Sequence, residues 1–198
     1  MSIAIIAYGS LIWDEECLAP HIAGGWARRA GPRLPVEFSR ISPKRKGALV
    51  LAIDEGAGTP VATSVTRSRR TDAEEAAADL ARRERAPLEA IGMADGRHAT
   101  NCPPAIGRIV NDWLAAQGVF RAAVWTNLPL NFLDETGEPF THARGLAWLK
   151  RLSPESLAEA WRYITFAPEE TDTPFRRFLG GDAWWRGLDF SDGDGVRE

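Results

Sequence analysis

The fold is first indicated by the opening stretch SIAIIAYGSLIW, residues 2–13. Residues 3–8 form a continuous apolar run with isoleucine at three positions, and Gly9-Ser10 interrupts it. An uninterrupted apolar run rich in β-branched residues is typical of a strand that is buried on both faces, and glycine followed by serine is typical of a turn. The stretch therefore predicts a buried first strand that ends in a turn after Tyr8.

Four further segments have the pattern of strands. Ala48–Ile53 is apolar throughout, like residues 3–8. Apolar and polar residues alternate over 60–66 and, more regularly, over 36–42, so we expect the strand at 36–42 to be half exposed. Residues 119–125 form another predicted strand. Most of the predicted strands thus lie in the first third of the chain.

Helix signals cluster later in the sequence. Thr71 is followed three residues on by Glu74, the arrangement of a capping box, and predicts a helix over 72–85. Prolines after plausible N-caps, and glycines after the last apolar position, predict helices over 104–117 and 154–165 and a short one from 174 to 181. Strands followed mainly by helices favour an α+β fold over a regular βαβ array.

Composition narrows the class of protein further. A chain of 198 residues with 44% hydrophobic and 26% charged residues fits one compact domain, which we place at residues 1–190. Residues 191–198 are polar and glycine-rich, so we expect a disordered tail. The formal net charge of −3 exerts no overall attraction on a polyanion, and nucleic acid is therefore not expected as a partner.

The compartment is predicted from cysteine usage and from the apolar runs. Two cysteines cannot form a disulfide framework, and the first residues lack the basic segment of a signal peptide. The apolar runs are far shorter than the roughly 18 to 20 residues that a membrane-spanning helix needs. We therefore expect a soluble, cytoplasmic protein without a membrane partner.

Two features of the sequence point to a site. Glycine at position 9 would allow a sharp turn, in which the amides of Gly9, Ser10 and Leu11 point into one concavity that suits an anion. On the predicted helix 72–85, Glu84 lies about 20° from Ala77 at 100° per residue, and so at the end of the apolar face. A partly desolvated carboxylate in that position suits general acid/base chemistry.

The segment Tyr8-Gly9-Ser10-Leu11-Ile12-Trp13 resembles the glycine-loop signature of the γ-glutamylcyclotransferase superfamily, in its ChaC-like or AIG2-like branch. In that family a glutamate roughly seventy-five residues after the loop acts as the acid/base, and here Glu84 stands 74 positions after Ser10 and follows an arginine. After Glu84 the sequence departs from the family, because Arg85-Ala86-Pro87 replaces a frequent glycine-tyrosine pair and no match continues beyond about Gly92.

The resemblance implies a γ-glutamylcyclotransferase-like mixed β-barrel, or a strongly curved sheet, with flanking helices. It also implies an enzyme that cyclises the γ-glutamyl group of glutathione, a γ-glutamyl peptide or a γ-glutamyl amine to 5-oxoproline and releases the amine. Glu84 would be the catalytic acid/base, and Tyr8, Gly9, Ser10 and Leu11 would bind the substrate. No cofactor and no metal ion are expected, and a homodimer is left open.

Several alternatives stay open at this point. The same fold could serve as a non-catalytic module that binds a small carboxylate, or as a related acyltransferase that processes a γ-glutamyl group. Tyr8 could equally be a core residue, and Ser10 lacks the sequence context of a hydrolase nucleophile. The basic run 44–46 is either a solvated turn or a contact for a substrate carboxylate. A zinc site built from two Cys/His pairs, at 17/21 and 98/102, has little support from their spacing.

Overall fold

Helices make up more of this protein than strands do, in a computed structural model that describes residues 2–190. About 41% of the described residues are helical and 26% are in strands, so the fold class is mixed α+β. The predicted disordered tail, 191–198, lies outside the described residues. The strands are β1 (Ser2–Ala7), β2 (Ile22–Ala27), β3 (Arg33–Ser42), β4 (Ala48–Ile53), β5 (Thr59–Ala62), β6 (Ser64–Ser68), β7 (Ile91–Ala94), β8 (Ala99–Thr100) and β9 (Phe120–Thr126). The helices are α1 (Ala73–Glu84), α2 (Pro104–Gln117), α3 (Phe132–Thr136), α4 (His142–Leu149), α5 (Pro154–Thr165), α6 (Pro174–Gly181) and α7 (Ala183–Arg186).

The described chain divides into two compact units. Unit 1 consists of residues 2–34 and 60–129, and unit 2 consists of residues 35–59 and 130–190. Compact units of this size occur both as lobes of one domain and as separate domains. The expectation of a single domain over 1–190 therefore stays a prediction.

Unit 1 contains a six-stranded sheet with the strand order β2-β6-β1-β9-β7-β8. The central strand β1 pairs antiparallel with β6 and parallel with β9, with Ile5 opposite Val124 in the parallel pair. One face of the sheet packs against α1, where Ile3, Ile5, Leu80 and Val124 belong to one buried apolar cluster. The continuous apolar run at the start of the chain is thus a strand buried on both faces, as predicted.

Unit 2 contains the strand pair β3 and β4, which runs antiparallel with Val36 opposite Ile53. Helix α5 packs against β4, and the rings of Phe38 and Tyr163 meet edge to face with their centroids 6.1 Å apart. The bounds of β4, α2 and α5 agree with those predicted from the sequence, including Gly118 in the left-handed conformation (φ 62°) after α2.

The barrel implied by the resemblance is wrong, because the sheets of the described chain are not closed into a barrel. In the six-stranded sheet, β2 and β8 are edge strands rather than partners of each other. At the centre of the sheet β1 and β9 are parallel, and the paired residues Ser2 and Phe120 are 118 positions apart in the chain. Among the described residues, no helix combines the length and the apolar character needed to cross a membrane.

Two predicted strands also differ from the structure. The predicted strand 60–66 is split into β5 and β6, since Thr63 between them is fully buried and its hydroxyl donates to the carbonyl of Pro32 (2.7 Å). The predicted strand 36–42 is part of the longer β3 and is not half exposed, because Glu37 and Ser39 on its polar side are 0% and 1% exposed. The patterns did not indicate β2, β7, β8, α3, α4 or α7.

Candidate functional site

The candidate site lies in unit 1, where the neighbouring strands β1 and β9 both end. Because these strands are parallel, their carboxyl ends meet at the same edge of the sheet. Tyr8 follows β1 directly, and Thr126 is the last residue of β9. The Tyr8 side chain is nearly buried, at 7% exposed, and its hydroxyl donates to the carbonyl oxygen of Thr126 (2.7 Å). Tyr8 is therefore both a packed residue and a polar link to the end of β9.

The loop after Tyr8 forms a single 3-10 turn over Ser10–Ile12. Its backbone hydrogen bonds begin with the amide of Ile12, which donates to the carbonyl of Gly9 (3.2 Å). The N–H groups before Ile12, including those of Ser10 and Leu11, have no partner within such a turn. The φ angle of Gly9 is −137°, outside the left-handed region, so the turn does not use the conformational freedom for which we expected glycine.

Glu84 is the last residue of α1, and only 13% of its side chain is exposed. The helix ends one residue earlier than predicted, because Arg85 adopts the left-handed conformation with φ 54°. The N-cap is Asp72 rather than Thr71, and its carboxylate accepts the amides of Glu74 and Glu75. The inward position predicted for Glu84 agrees with its low exposure.

One carboxylate oxygen of Glu84 accepts two hydrogen bonds from side chains. Thr126 Oγ1 donates to Glu84 Oε1 at 3.2 Å, and Arg83 Nη1 donates to the same oxygen at 2.9 Å. Within the described residues no hydrogen bond to Oε2 is present. The two contacts fix the direction of the carboxylate and leave Oε2 available to a ligand.

Arg83 connects the end of α1 to the loop after β1. Its side chain is 2% exposed, and its Nη2 donates to the carbonyl of Asp14 and lies 3.4 Å from Ser10 Oγ. Together with the Tyr8 contact, this gives a continuous polar network in which Tyr8 reaches Glu84 through Thr126, and Ser10 reaches Glu84 through Arg83. The two residues that flank Gly9 are thus both tied to the same carboxylate.

The structure brings together Tyr8, Ser10 and Glu84, which the sequence indicated as site residues. Leu11 is different, because its side chain is 4% exposed and belongs to the apolar cluster between α1 and the sheet, so only its backbone can serve a ligand. Arg83 was not singled out, although it lies seven residues after the buried Ala76 on α1 and thus on an inward face. That spacing is the signal that could have identified it.

A second cluster of charges in unit 1 surrounds Asp79, also on α1. The Asp79 side chain is 2% exposed, and its carboxylate contacts Arg70 Nε at 2.6 Å, Arg82 Nη1 at 3.3 Å and His21 Nδ1 at 3.5 Å. Burial by itself raises the pKa of Asp79, but the hydrogen bond from Arg70 and the charges of His21, Arg70 and Arg82 outweigh it and hold the pKa below its ordinary value. Asp79 and Arg83 are four residues apart and so lie on the same face of α1, where each makes a buried ionic contact.

The basic run 44–46 belongs to unit 2. Arg45 pairs with Glu159 (2.5 Å) and stacks on the ring of Tyr163, with its guanidinium carbon 4.8 Å from the ring centroid. Lys46 pairs with Glu155 (3.0 Å). With Lys44, Ala158 and Arg162, these ion-paired residues line an open groove of about 440 Å³. The carboxylates of α5 thus balance part of the positive charge of the run.

The Cys/His pairs do not form a metal site in the described part of the chain. Cys17 is exposed and Cys102 is half-buried, and burial raises the pKa of the Cys102 thiol. Within residues 2–190, no group of three or more histidine, cysteine, aspartate or glutamate side chains is arranged to hold a metal ion.

Comparisons of the chain with models of protein families, with curated proteins and with solved structures found no match. The interpretation of the site therefore depends on the residues of the loop and on the network around Glu84.

Proposed function

We propose that the chain is a γ-glutamylcyclotransferase-like enzyme that converts a γ-glutamyl compound into 5-oxoproline and a free amine. Glu84 is the general acid/base in this proposal, and the loop formed by Tyr8, Gly9, Ser10 and Leu11 holds the γ-glutamyl group. The observation that carries the proposal is the network that ties both neighbours of Gly9 to the Glu84 carboxylate.

The proposed reaction is an intramolecular aminolysis. The α-ammonium group of the substrate gives a proton to Glu84, and the resulting amine attacks the γ-carbonyl carbon. A new C–N bond closes the five-membered ring, the original amide C–N bond breaks, and the two protons lost by the attacking nitrogen end on the leaving nitrogen. The protons and charges balance without water, an oxidant or a second substrate, so the proposal includes no cofactor.

The protein has two tasks in such a reaction. Holding the amine against the carbonyl replaces an encounter in solution, which in general contributes up to about 7 to 11 kcal/mol. The N–H groups of Ser10 and Leu11 have no partner within the 3-10 turn itself, and they would support the carbonyl oxygen as charge develops on it. Glu84 Oε2 would transfer the protons, since Oε1 is held by Thr126 and Arg83.

The proposal includes the cellular setting and the finer fold. The substrate is a small γ-glutamyl compound such as glutathione, a γ-glutamyl dipeptide or a γ-glutamyl amine, in the cytoplasm, and a homodimer remains part of the hypothesis. The open sheet of unit 1 with α1 would correspond to the strongly curved sheet of the γ-glutamylcyclotransferases rather than to a closed barrel.

The direct test incubates the purified protein with glutathione, γ-glutamyl dipeptides and γ-glutamyl amines and measures 5-oxoproline. We expect product from at least one class and a fall in kcat of at least about 10²-fold in Glu84→Gln, because general acid/base groups contribute typically 10² to 10⁴. Glu89→Gln is the matched control, since Glu89 is an exposed carboxylate in the same unit. The absence of product from every substrate, or full activity in Glu84→Gln, would contradict the proposal.

A binding module for a small carboxylate is the second candidate, and the Arg83–Glu84 contact favours it. A carboxylate that is already held by a cation can serve as a fixed hydrogen-bond acceptor for a ligand instead of taking part in proton transfer. Calorimetry with 5-oxoproline and glutamate distinguishes the two functions. A module without catalysis would bind one of these ligands and form no 5-oxoproline, whereas the enzyme would give product from a γ-glutamyl compound.

A further inference from the structure

Arg83 is a buried cation that the proposed reaction does not use directly. Its side chain is 2% exposed, and Glu84 is the carboxylate that it contacts within the described residues. The Nε of Arg83 is buried and has no hydrogen-bond partner there. A buried charge is costly unless it is paired, so a cation with an incomplete set of partners at this place needs an explanation.

The guanidinium group spans two segments of the chain. Nη1 contacts Glu84 Oε1 at 2.9 Å, at the carboxyl end of α1. Nη2 contacts the carbonyl of Asp14 and lies 3.4 Å from Ser10 Oγ, in the loop after β1. Because a guanidinium group is planar and rigid, its two ends fix the distance and the angle between the loop and the carboxylate.

The position of Glu84 at the end of a helix gives Arg83 a second effect. The carboxyl end of a helix carries a partial negative charge, which disfavours a carboxylate there. The positive charge of Arg83 beside the carboxylate opposes this repulsion. Thr126 donates to the same oxygen as Arg83. Both donors therefore hold Oε1, and Oε2 accepts no hydrogen bond from the described residues.

We propose that Arg83 is a positioning residue, which aims the Glu84 carboxylate by holding Oε1 while it anchors the loop at Ser10 and Asp14. This inference rests on the proposed function for its kinetic consequence, but the underlying contact does not depend on a substrate. Arg83 does not touch the reacting atoms, and its effect passes through Glu84 and the loop.

The kinetic test compares Arg83→Gln with Arg83→Lys. In Arg83→Gln we expect kcat to fall about 10²-fold, the magnitude that follows from misplacing a catalytic group by about 1 Å, with KM changed far less. Arg83→Lys keeps the charge but not the planar fork, so kcat should fall in this variant as well, by less than in Arg83→Gln and with KM again changed far less.

A purely structural role for Arg83 gives a different result. It would lower the folded fraction and leave kcat per folded molecule unchanged in both variants. Arg108→Gln is the matched control, since Arg108 is an exposed arginine on α2 in the same unit. An unchanged kcat in a folded Arg83→Gln protein would overturn the inference. If that variant does not fold, an unchanged kcat in Arg83→Lys would overturn it as well.

A second readout needs no substrate and separates this inference from the proposed function. Nitrogen-15 relaxation measures the order of the loop amides at Ser10 and Leu11. We expect their order parameters to fall in Arg83→Gln and to stay in place in Arg108→Gln. If no γ-glutamyl compound is converted but the loop loses order, the proposed function fails and the positioning role stands. Unchanged order parameters contradict the positioning role even in an active enzyme.

Discussion

Asp79 in unit 1 and Glu37 in unit 2 are both buried carboxylates, but they are stabilised by different partners. Asp79 is surrounded by the charged groups of Arg70 and Arg82 and by His21. Glu37 is 0% exposed, and its two oxygens accept the backbone amides of Phe38 (2.8 Å) and Phe175 (3.0 Å).

The difference in partners reverses the direction of the pKa shift. Burial raises the pKa of Glu37, and the hydrogen bonds from Thr173, Phe175 and Phe38 and the charge of His142 offset this only in part. Burial also raises the pKa of Asp79, but the two arginines and the histidine outweigh this effect, so the pKa of Asp79 is lowered. Full positive charges beside a carboxylate therefore compensate for its burial, whereas backbone dipoles and a histidine at 4.0 Å do not.

Glu37 nevertheless has a clear structural role. It joins β3 to the amino end of α6, because the amide of Phe175 belongs to the first turn of that helix. The amides of a first helical turn have no partner within the helix, and the Glu37 carboxylate supplies one. Asp79 therefore makes an ionic contact in unit 1, whereas Glu37 caps a helix in unit 2.

The largest effect on stability is expected from Asp79→Asn, which removes the charge that Arg70 and Arg82 share. We expect the free energy of unfolding at pH 7 to fall by about 2 kcal/mol, since hydrogen bonds to charged groups contribute about 1.5 to 3 kcal/mol and Arg70 retains some contact with solvent. Urea denaturation measures the change. Asp112→Asn, at an exposed aspartate on α2, is the control.

The sign of the pH dependence sharpens this prediction. The pKa of Asp79 is lowered in the folded state, so its contribution is present above its ordinary value of 3.8 and is lost as the pH falls through the folded value. The difference between the wild-type protein and Asp79→Asn should therefore shrink in acid. A difference that stays constant down to the acid transition would show that the charge of Asp79 is not what stabilises unit 1.

A smaller effect, with the opposite pH dependence, is expected from Glu37→Gln. The amide of glutamine can accept only one of the two backbone N–H groups, and an unsatisfied buried donor costs about 1 to 3 kcal/mol. The neutral glutamine buries no charge, which offsets part of this cost. We therefore expect the free energy of unfolding to fall by about 1 kcal/mol at pH 7. Urea denaturation of Glu37→Gln and of the exposed control Glu55→Gln measures it.

The folded state raises the pKa of Glu37 above its ordinary value of 4.5. Its contribution to stability is therefore complete below 4.5 and is lost as the pH rises through the folded value. The wild-type protein should lose stability relative to Glu37→Gln over this range. If instead the wild-type protein gains stability relative to the variant as the pH rises, Glu37 behaves like Asp79 and the contrast between the two carboxylates is wrong.

The smallest effect is expected at the basic run of unit 2, where the ion pairs are more exposed. Arg45→Gln removes a partly buried pair and a cation–π contact, and should cost about 0.7 kcal/mol of unfolding free energy. Lys46→Gln is the matched variant, because the Lys46 and Glu155 side chains are 64% and 79% exposed, and its cost should be below about 0.5 kcal/mol. Equal costs in thermal or urea unfolding would show that burial does not determine the strength of these pairs.

Several elements could be predicted because their signals are local. β4, α2 and α5 follow from apolar runs, prolines at the first helical turn and a glycine after the last one, and each of these signals lies within a few residues of the element. β8 has two residues and α7 has four, too few to show a period. The split at Thr63 depends on a hydrogen bond to Pro32, 31 positions away, which no local pattern contains.

The same distinction between local signals and distant contacts applies to the candidate site. The sequence by itself determined that a buried strand ends at Tyr8-Gly9-Ser10 and that Glu84 lies on the inward face of a helix, because both depend on short-range periodicity. Only the tertiary structure decided that Thr126 and Arg83 join these segments, since this depends on the parallel pairing of β1 with β9 and on the packing of α1 against the sheet. Pairing between strands far apart in the chain depends on how the whole apolar surface is buried, and a local pattern of residues does not specify it.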